Sequence, residues 1–167
     1  MKQRYIIALG SNMWHLRHGA PRAVIAAALR ELDGKGMKVK RASPIIDSSP
    51  LGPSLRRYAN AAALVKTALN PPELLERLHH IERKFGRRRR GGPWRARVLD
   101  LDIVLWSGGA WASPKLMGGL IVPHTQFRQR AFVLGPAKAV APGWRDPITG
   151  LTLRQLDARL TRPRPVP

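Results

Sequence analysis

Leu99-Asp100-Leu101-Asp102-Ile103-Val104-Leu105 is the stretch on which the reading of this chain turns. Apolar Leu99, Leu101, Ile103 and Leu105 alternate with Asp100, Asp102 and Val104, which is the period of a β-strand. Alternation puts both carboxylates on one face. Their Cα atoms should lie about 6.6 Å apart, from a rise of about 3.3 Å per residue. Two carboxylates so placed can hold a pair of Mg²⁺ ions roughly 3.5–4 Å apart. The segment just upstream, Arg87–Arg97, is rich in arginine, the residue suited to phosphate oxygens. Metal and arginine beside one strand point to chemistry on a nucleoside triphosphate. The competing reading is an Asp pair on a solvated strand face.

Working outward, Asn70 is a candidate N-cap, and Pro71-Pro72 opens a helix with Leu74, Leu75, Leu78, Ile81 and Phe85 on its apolar face. His79 and Glu82 lie three apart on a neighbouring face, and Gly86 would end the helix. Tyr58–Val65 precedes it as a strand. Further upstream stand a buried first strand at Tyr5–Leu9, a helix at Pro21–Leu32, and strand segments at Met37–Arg41 and Ile45–Ile46. Downstream, Trp106–Gly119 reads as loop with a short hairpin, and Leu120–Val122 as a short strand. Phe127–Ala139 reads as partly helical, broken at Gly135-Pro136. With no GxGxxG or Walker A sequence, this pattern argues for α+β over a Rossmann or P-loop fold. The expectation is one domain over 1–160 and a disordered Pro/Arg tail over 161–167.

The 167 residues contain no cysteine, which excludes a disulfide framework and a Cys-based zinc site. No apolar run is long enough for a signal peptide or a membrane span, so a soluble cytoplasmic protein is expected. Thirty basic residues against ten acidic give a net charge of +20. Such a charge attracts nucleic acid, anionic membrane or phosphorylated metabolites without choosing among them. Taken singly, Tyr58 and Phe132 read as core aromatics, His124 as a turn residue and Asn60 as a buried amide. Arg87–Arg90 reads as a solvated basic loop or a phosphate-backbone patch, and Trp94 as a base-stacking residue.

Four islands stand in order: Ala8-Leu9-Gly10-Ser11-Asn12; Pro50-Leu51-Gly52-Pro53 with Tyr58-Ala59-Asn60; Arg97-x-x-Asp100-Leu101-Asp102; and Val122-Pro123-His124 with Arg130-x-Phe132. Together they resemble the 6-hydroxymethyl-7,8-dihydropterin pyrophosphokinase (HPPK) family, from about Tyr5 to about Leu156. The resemblance implies a ferredoxin-like α+β sheet with helices packed on it and mobile loops over the site. It implies transfer of the pyrophosphoryl group of ATP to the pterin hydroxymethyl group, with AMP as product, in folate biosynthesis. Asp100 and Asp102 match the ligands of two Mg²⁺ ions, and Arg87 and Arg97 the catalytic loop arginines. Leu51, Gly52, Tyr58, Asn60, Trp94 and Phe132 match pterin positions. His79, Glu82, Arg89, Arg97, Ile103, His124 and Arg130 match ATP positions, and Arg90 a further basic one.

Pro93, Arg95 and Thr125 depart from what is usual in that family. The implied partners are the small molecules ATP and a reduced pterin, with no membrane, a monomeric state, and weak non-specific nucleic-acid binding from the charge. Two rival readings stand beside it. A ferredoxin-like nucleic-acid binder would explain the arginines and Trp94, but not two carboxylates that repel phosphate unless a cation intervenes. A degenerate relative kept as a scaffold would not explain intact Asp100, Asp102, Arg97 and His124.

Overall fold

The computed structural model describes residues 1–50, 56–86, 97–114 and 119–163. Its centre is β1 (Gln3–Ser11), buried along most of its length. On one side β1 pairs antiparallel with β4 (Tyr58–Thr67), on the other with β5 (Asp100–Trp106). Beyond β4, one edge is shared end to end by β2 (Met37–Ala42) and β3 (Ile46–Ser48). The strand order β2-β4-β1-β5 is the ferredoxin-like arrangement that the family resemblance implies. A separate two-stranded ribbon joins β6 (Trp111–Ala112) to β7 (Ile121–Val122).

Strand alternation assigns each side chain to one of two cores. Tyr5, Ile7 and Leu9 of β1, Ala61, Ala63 and Val65 of β4, and Leu101 and Ile103 of β5 face α1 (Pro21–Leu32) and α2 (Pro71–Lys84). The opposite face, with Ile6, Ala62 and Val104, packs against α3 (Ala131–Val140) and α4 (Leu153–Thr161). α2 begins as its sequence predicts. Asn70 accepts from the Glu73 N–H, and the Glu73 carboxylate accepts in return from the Asn70 N–H.

Three expectations need correction. Leu105 does not share a face with Ile103. Opposite Ile6-Ile7 the register skips Val104, and this extra residue turns Leu105 into the α3/α4 core. The helix after Arg130 is not broken at Gly135-Pro136, because Pro136 forfeits one hydrogen bond while Pro136, Leu134, Ala137 and Val140 are all buried. Finally, α4 runs to Thr161, into what was expected to be tail. Its start is a capping box, Thr152 with Gln155, that the sequence displays. Among the described residues no helix is long and apolar enough to cross a membrane.

Candidate active site

The α3/α4 layer covers only part of its face of the sheet, and the uncovered part is the site. Two cross-strand rows form its floor. Asp100 of β5, Gly10 of β1 and Asn60 of β4 lie directly opposite one another, and Asp102, Ala8 and Ala62 make the next row. The middle of the floor is therefore the smallest side chains available, flanked by carboxylates on one side and an amide on the other. A methyl group at Gly10 would sit 3.5 Å from Asn60 Oδ1. Asn60 Nδ2 donates to Ser48 Oγ at 2.7 Å, so the amide is held by its nitrogen and its oxygen lies over Gly10.

A cavity of about 360 Å³ stands on this floor, walled by Tyr58, Arg97, Gln126, Arg130, Phe132 and Val133. Arg97 Nη1 donates to Asp100 Oδ2 at 2.9 Å, with both side chains partly exposed. Burial opposes the Arg97 charge, but Asp100, Asp102 and Tyr58 outweigh it and raise its pKa further. Arg130 leans over the Phe132 ring, 5.9 Å from its centroid, and donates to Gln126 Oε1. His124 is tied to the sheet by its N–H to Val104 O at 3.0 Å. Burial first, and Arg130 second, push its imidazole below the usual value, with Asp100 acting the other way. His124 thus lies within electrostatic reach of the same arginine and aspartate.

The structure brings Asp100, Asp102, Tyr58, Asn60, Arg97, Arg130 and Phe132 around one cavity. Glu82 lies elsewhere. It comes round the outer edge of β5 from α2, fully buried, and its Oε1 accepts from the Leu101 N–H at 2.8 Å. That bond fixes the backbone between the two aspartates. His79 sits on the same helix, and the Ile103 side chain is buried in the α1/α2 core, on the face away from the carboxylates. Leu51, Gly52, Arg87, Arg89, Arg90 and Trp94 lie outside the described residues. Sequence reasoning missed Gln126 and Val133 as wall and Ala8 and Gly10 as floor. The small residues were visible in Ala8-Leu9-Gly10, but only register shows that they separate Asp100 from Asn60.

Comparison with known proteins gives the family and the fold. A family model described as 7,8-dihydro-6-hydroxymethylpterin-pyrophosphokinase (HPPK) matches residues 6–142. The chain is 40% identical over 151 residues to the 2-amino-4-hydroxy-6-hydroxymethyldihydropteridine pyrophosphokinase of Pseudomonas aeruginosa, covering 88% of this chain and 86% of that one. To the enzyme of the same name from Synechocystis sp. it is 35% identical over 151 residues, covering 90% of this chain and 73% of that one. Among solved structures, wild-type Plasmodium falciparum HPPK-DHPS superposes with a TM-score of 0.72 at 12% identity, over 95% of this chain and 45% of that one. That likeness speaks for the fold alone, and this chain spans less than half of the solved one.

Proposed function

We infer the reaction from one premise: this chain belongs to the 7,8-dihydro-6-hydroxymethylpterin-pyrophosphokinase (HPPK) family. It is a transferase that moves the pyrophosphoryl group of ATP to the hydroxymethyl group of 6-hydroxymethyl-7,8-dihydropterin. The hydroxyl oxygen bonds to the β-phosphorus, the bond from that phosphorus to the α–β bridging oxygen breaks, and AMP leaves. The observation that carries the site assignment is the single cavity shared by Asp100, Asp102, Arg97, Arg130, Tyr58, Asn60 and Phe132.

Such a transfer asks little covalent help of a protein. It asks for alignment of the attacking oxygen and for neutralisation of charge on the phosphates. Arg97 and Arg130 supply fixed positive charge at one side of the cavity. Tyr58 and Phe132, from β4 and α3, offer aromatic surface to a flat bicyclic ring, and Asn60 Oδ1 offers an acceptor to its polar edge. Asp100 and Asp102 fit Mg²⁺, which takes hard oxygen donors and is held by one or two carboxylates with phosphate and water completing its shell. We assign them two such ions, which would neutralise the charge of the phosphates. Leu51, Gly52 and Trp94 are proposed on the pterin side. His79, Arg89 and His124 are proposed on the nucleotide side, with Arg87 joining Arg97 at the phosphates; Glu82, bound to the Leu101 N–H, and Ile103, whose side chain faces the other core, are proposed there only through the β5 backbone.

The test is to incubate the protein with MgATP and 6-hydroxymethyl-7,8-dihydropterin and to separate the nucleotides. AMP equal to pterin diphosphate is expected. Stoichiometric ADP with a pterin monophosphate would overturn the reaction.

A further inference from the structure

Asn12 is the last residue of the Ala8–Asn12 island, lies outside the cavity lining, and has been given no role above. It is buried, at 2% exposure, directly after β1. Its side-chain Oδ1 accepts from the Arg97 N–H at 2.7 Å, and its own N–H donates to Arg97 O at 3.1 Å. One residue thus holds both backbone polar groups of Arg97, 85 positions away in sequence. The Arg97 side chain in turn reaches Asp100 Oδ2 at 2.9 Å. Among the described residues Asn12 Nδ2 meets no acceptor, so the amide works through its oxygen.

The contrast with ordinary surface arginines is informative. A long guanidinium side chain loses considerable rotamer freedom on being fixed in one place, so an exposed arginine is seldom held still. Here the backbone is held first, from a buried anchor directly after the central strand, and the side chain is then aimed at Asp100 of β5. The same stretch after β1 makes a second contact on the other side of the arginine-rich segment. His18 stacks on Phe85, at the end of α2, with ring centroids 4.9 Å apart. Residues 12–18 therefore hold both described flanks, Phe85 and Arg97.

We propose that Asn12 is a positioning residue for the transfer: it fixes the Arg97 backbone so that the guanidinium meets the phosphates beside Asp100. This rests on the reaction and site assigned above. Asn12 touches no substrate in this scheme and acts through Arg97. A small displacement of a charge-stabilising group costs rate more than binding.

The experiment is a double-mutant cycle of Asn12→Ala and Arg97→Ala, read as kcat and pterin KM, and separately as affinity for a non-hydrolysable ATP analogue by calorimetry. Asn12→Ala is expected to lower kcat by about tenfold or more with pterin KM within about threefold. In the Arg97→Ala background the same change should alter kcat and analogue affinity by less than about twofold, because its target is gone. Asn12→Asp, which keeps the accepting oxygen, should lie nearer wild type than Asn12→Ala. Should Asn12→Ala lack a cooperative melt, Asn12→Ser takes its place in the cycle, being polar but too short to reach the Arg97 N–H. Independent, multiplying effects of the two substitutions would overturn the proposal. A wild-type protein that makes no AMP would instead sink the reaction, and the analogue-binding cycle would still judge Asn12.

Discussion

Two arginine–aspartate pairs, Arg97–Asp100 and Arg128–Asp146, are built for opposite purposes. Arg128 grips Asp146 with two nitrogens, at 2.6 and 2.7 Å. Asp146 has no exposure at all, and its carboxylate also accepts from Thr149 Oγ1 at 2.7 Å and the Ile148 N–H at 3.1 Å. Burial alone would raise the Asp146 pKa, yet these donors hold it below the usual carboxylate value. Arg97, by contrast, meets Asp100 through Nη1, with 38% and 26% of the two side chains exposed, on the rim of a 360 Å³ cavity. A carboxylate saturated by donors in a dry interior stabilises a turn and can accept nothing more. A partly exposed carboxylate on the rim of a cavity can exchange its arginine for a cation.

The largest effect that would break this contrast concerns activity. Asp100→Ala and Asp102→Ala should each lower kcat by about 10³-fold or more, equivalent to roughly 4 kcal/mol of transition-state stabilisation. The melting temperature should stay within a few degrees of wild type, because a half-exposed ion pair contributes at most about 1 kcal/mol to folding. Steady-state assays paired with thermal melts settle both halves. Near-normal turnover of either variant at modest Mg²⁺ would remove the metal-binding role.

The mirror-image substitution is Asp146→Asn. It leaves the Arg128 charge without its counter-charge and turns one of the two accepting oxygens into an NH₂ group, so one arginine nitrogen and either Thr149 or Ile148 lose their acceptor. Breaking such a buried pair should cost about 3–5 kcal/mol of stability. Chemical denaturation should show that loss, while folded Asp146→Asn protein at low temperature keeps its kcat. An unchanged midpoint of unfolding would mean that the two pairs are not so different as their geometry says.

Why one of these pairs was legible in the sequence and the other was not follows from range. Asp100 and Asp102 announce themselves through strand alternation within seven residues, and the arginine next to them lies three positions away. The α2 cap was equally local, in Asn70-Pro71-Pro72-Glu73. Asp146 depends on Arg128, 18 positions upstream across the whole of α3, and no local pattern connects them. The same holds for Asn12 and Arg97, and for the bulge at Val104, which registers against Ile6-Ile7 on another strand. Pro136 within α3 defeated a sound local rule, because burial of the helix outweighs one missing hydrogen bond. The α+β class was legible because it follows from the sequence of elements, whereas the ferredoxin-like order came with the family resemblance. The cavity floor was not, because it follows from which small residue stands opposite which aspartate.

A last, smaller effect sharpens the contrast through pH. His124 shares the environment of Arg130 and Asp100, and burial with Arg130 depresses its imidazole below the usual value of about 6.5. Its Nδ1 accepts from the Gln126 N–H at 3.2 Å, which a protonated Nδ1 cannot do. The unfolded chain therefore takes up this proton more readily than the folded one. By linkage, stability rises with pH wherever the unfolded state binds more protons. The His124 contribution is thus complete above about pH 6.5 and is lost as pH falls below that value through the folded-state pKa. Asp146, whose folded pKa is depressed from a carboxylate value, loses its contribution only at much lower pH, so the two groups separate in a titration. Melts of wild type and His124→Gln between about pH 7.5 and 5, which brackets the histidine reference, should show a shallower decline in the variant. The Asp146→Asn protein should keep the wild-type slope in that window from a lower starting point. Parallel curves for wild type and His124→Gln would mean that His124 is solvated as freely as any surface histidine, and would remove the support that its burial lends to the role proposed for it.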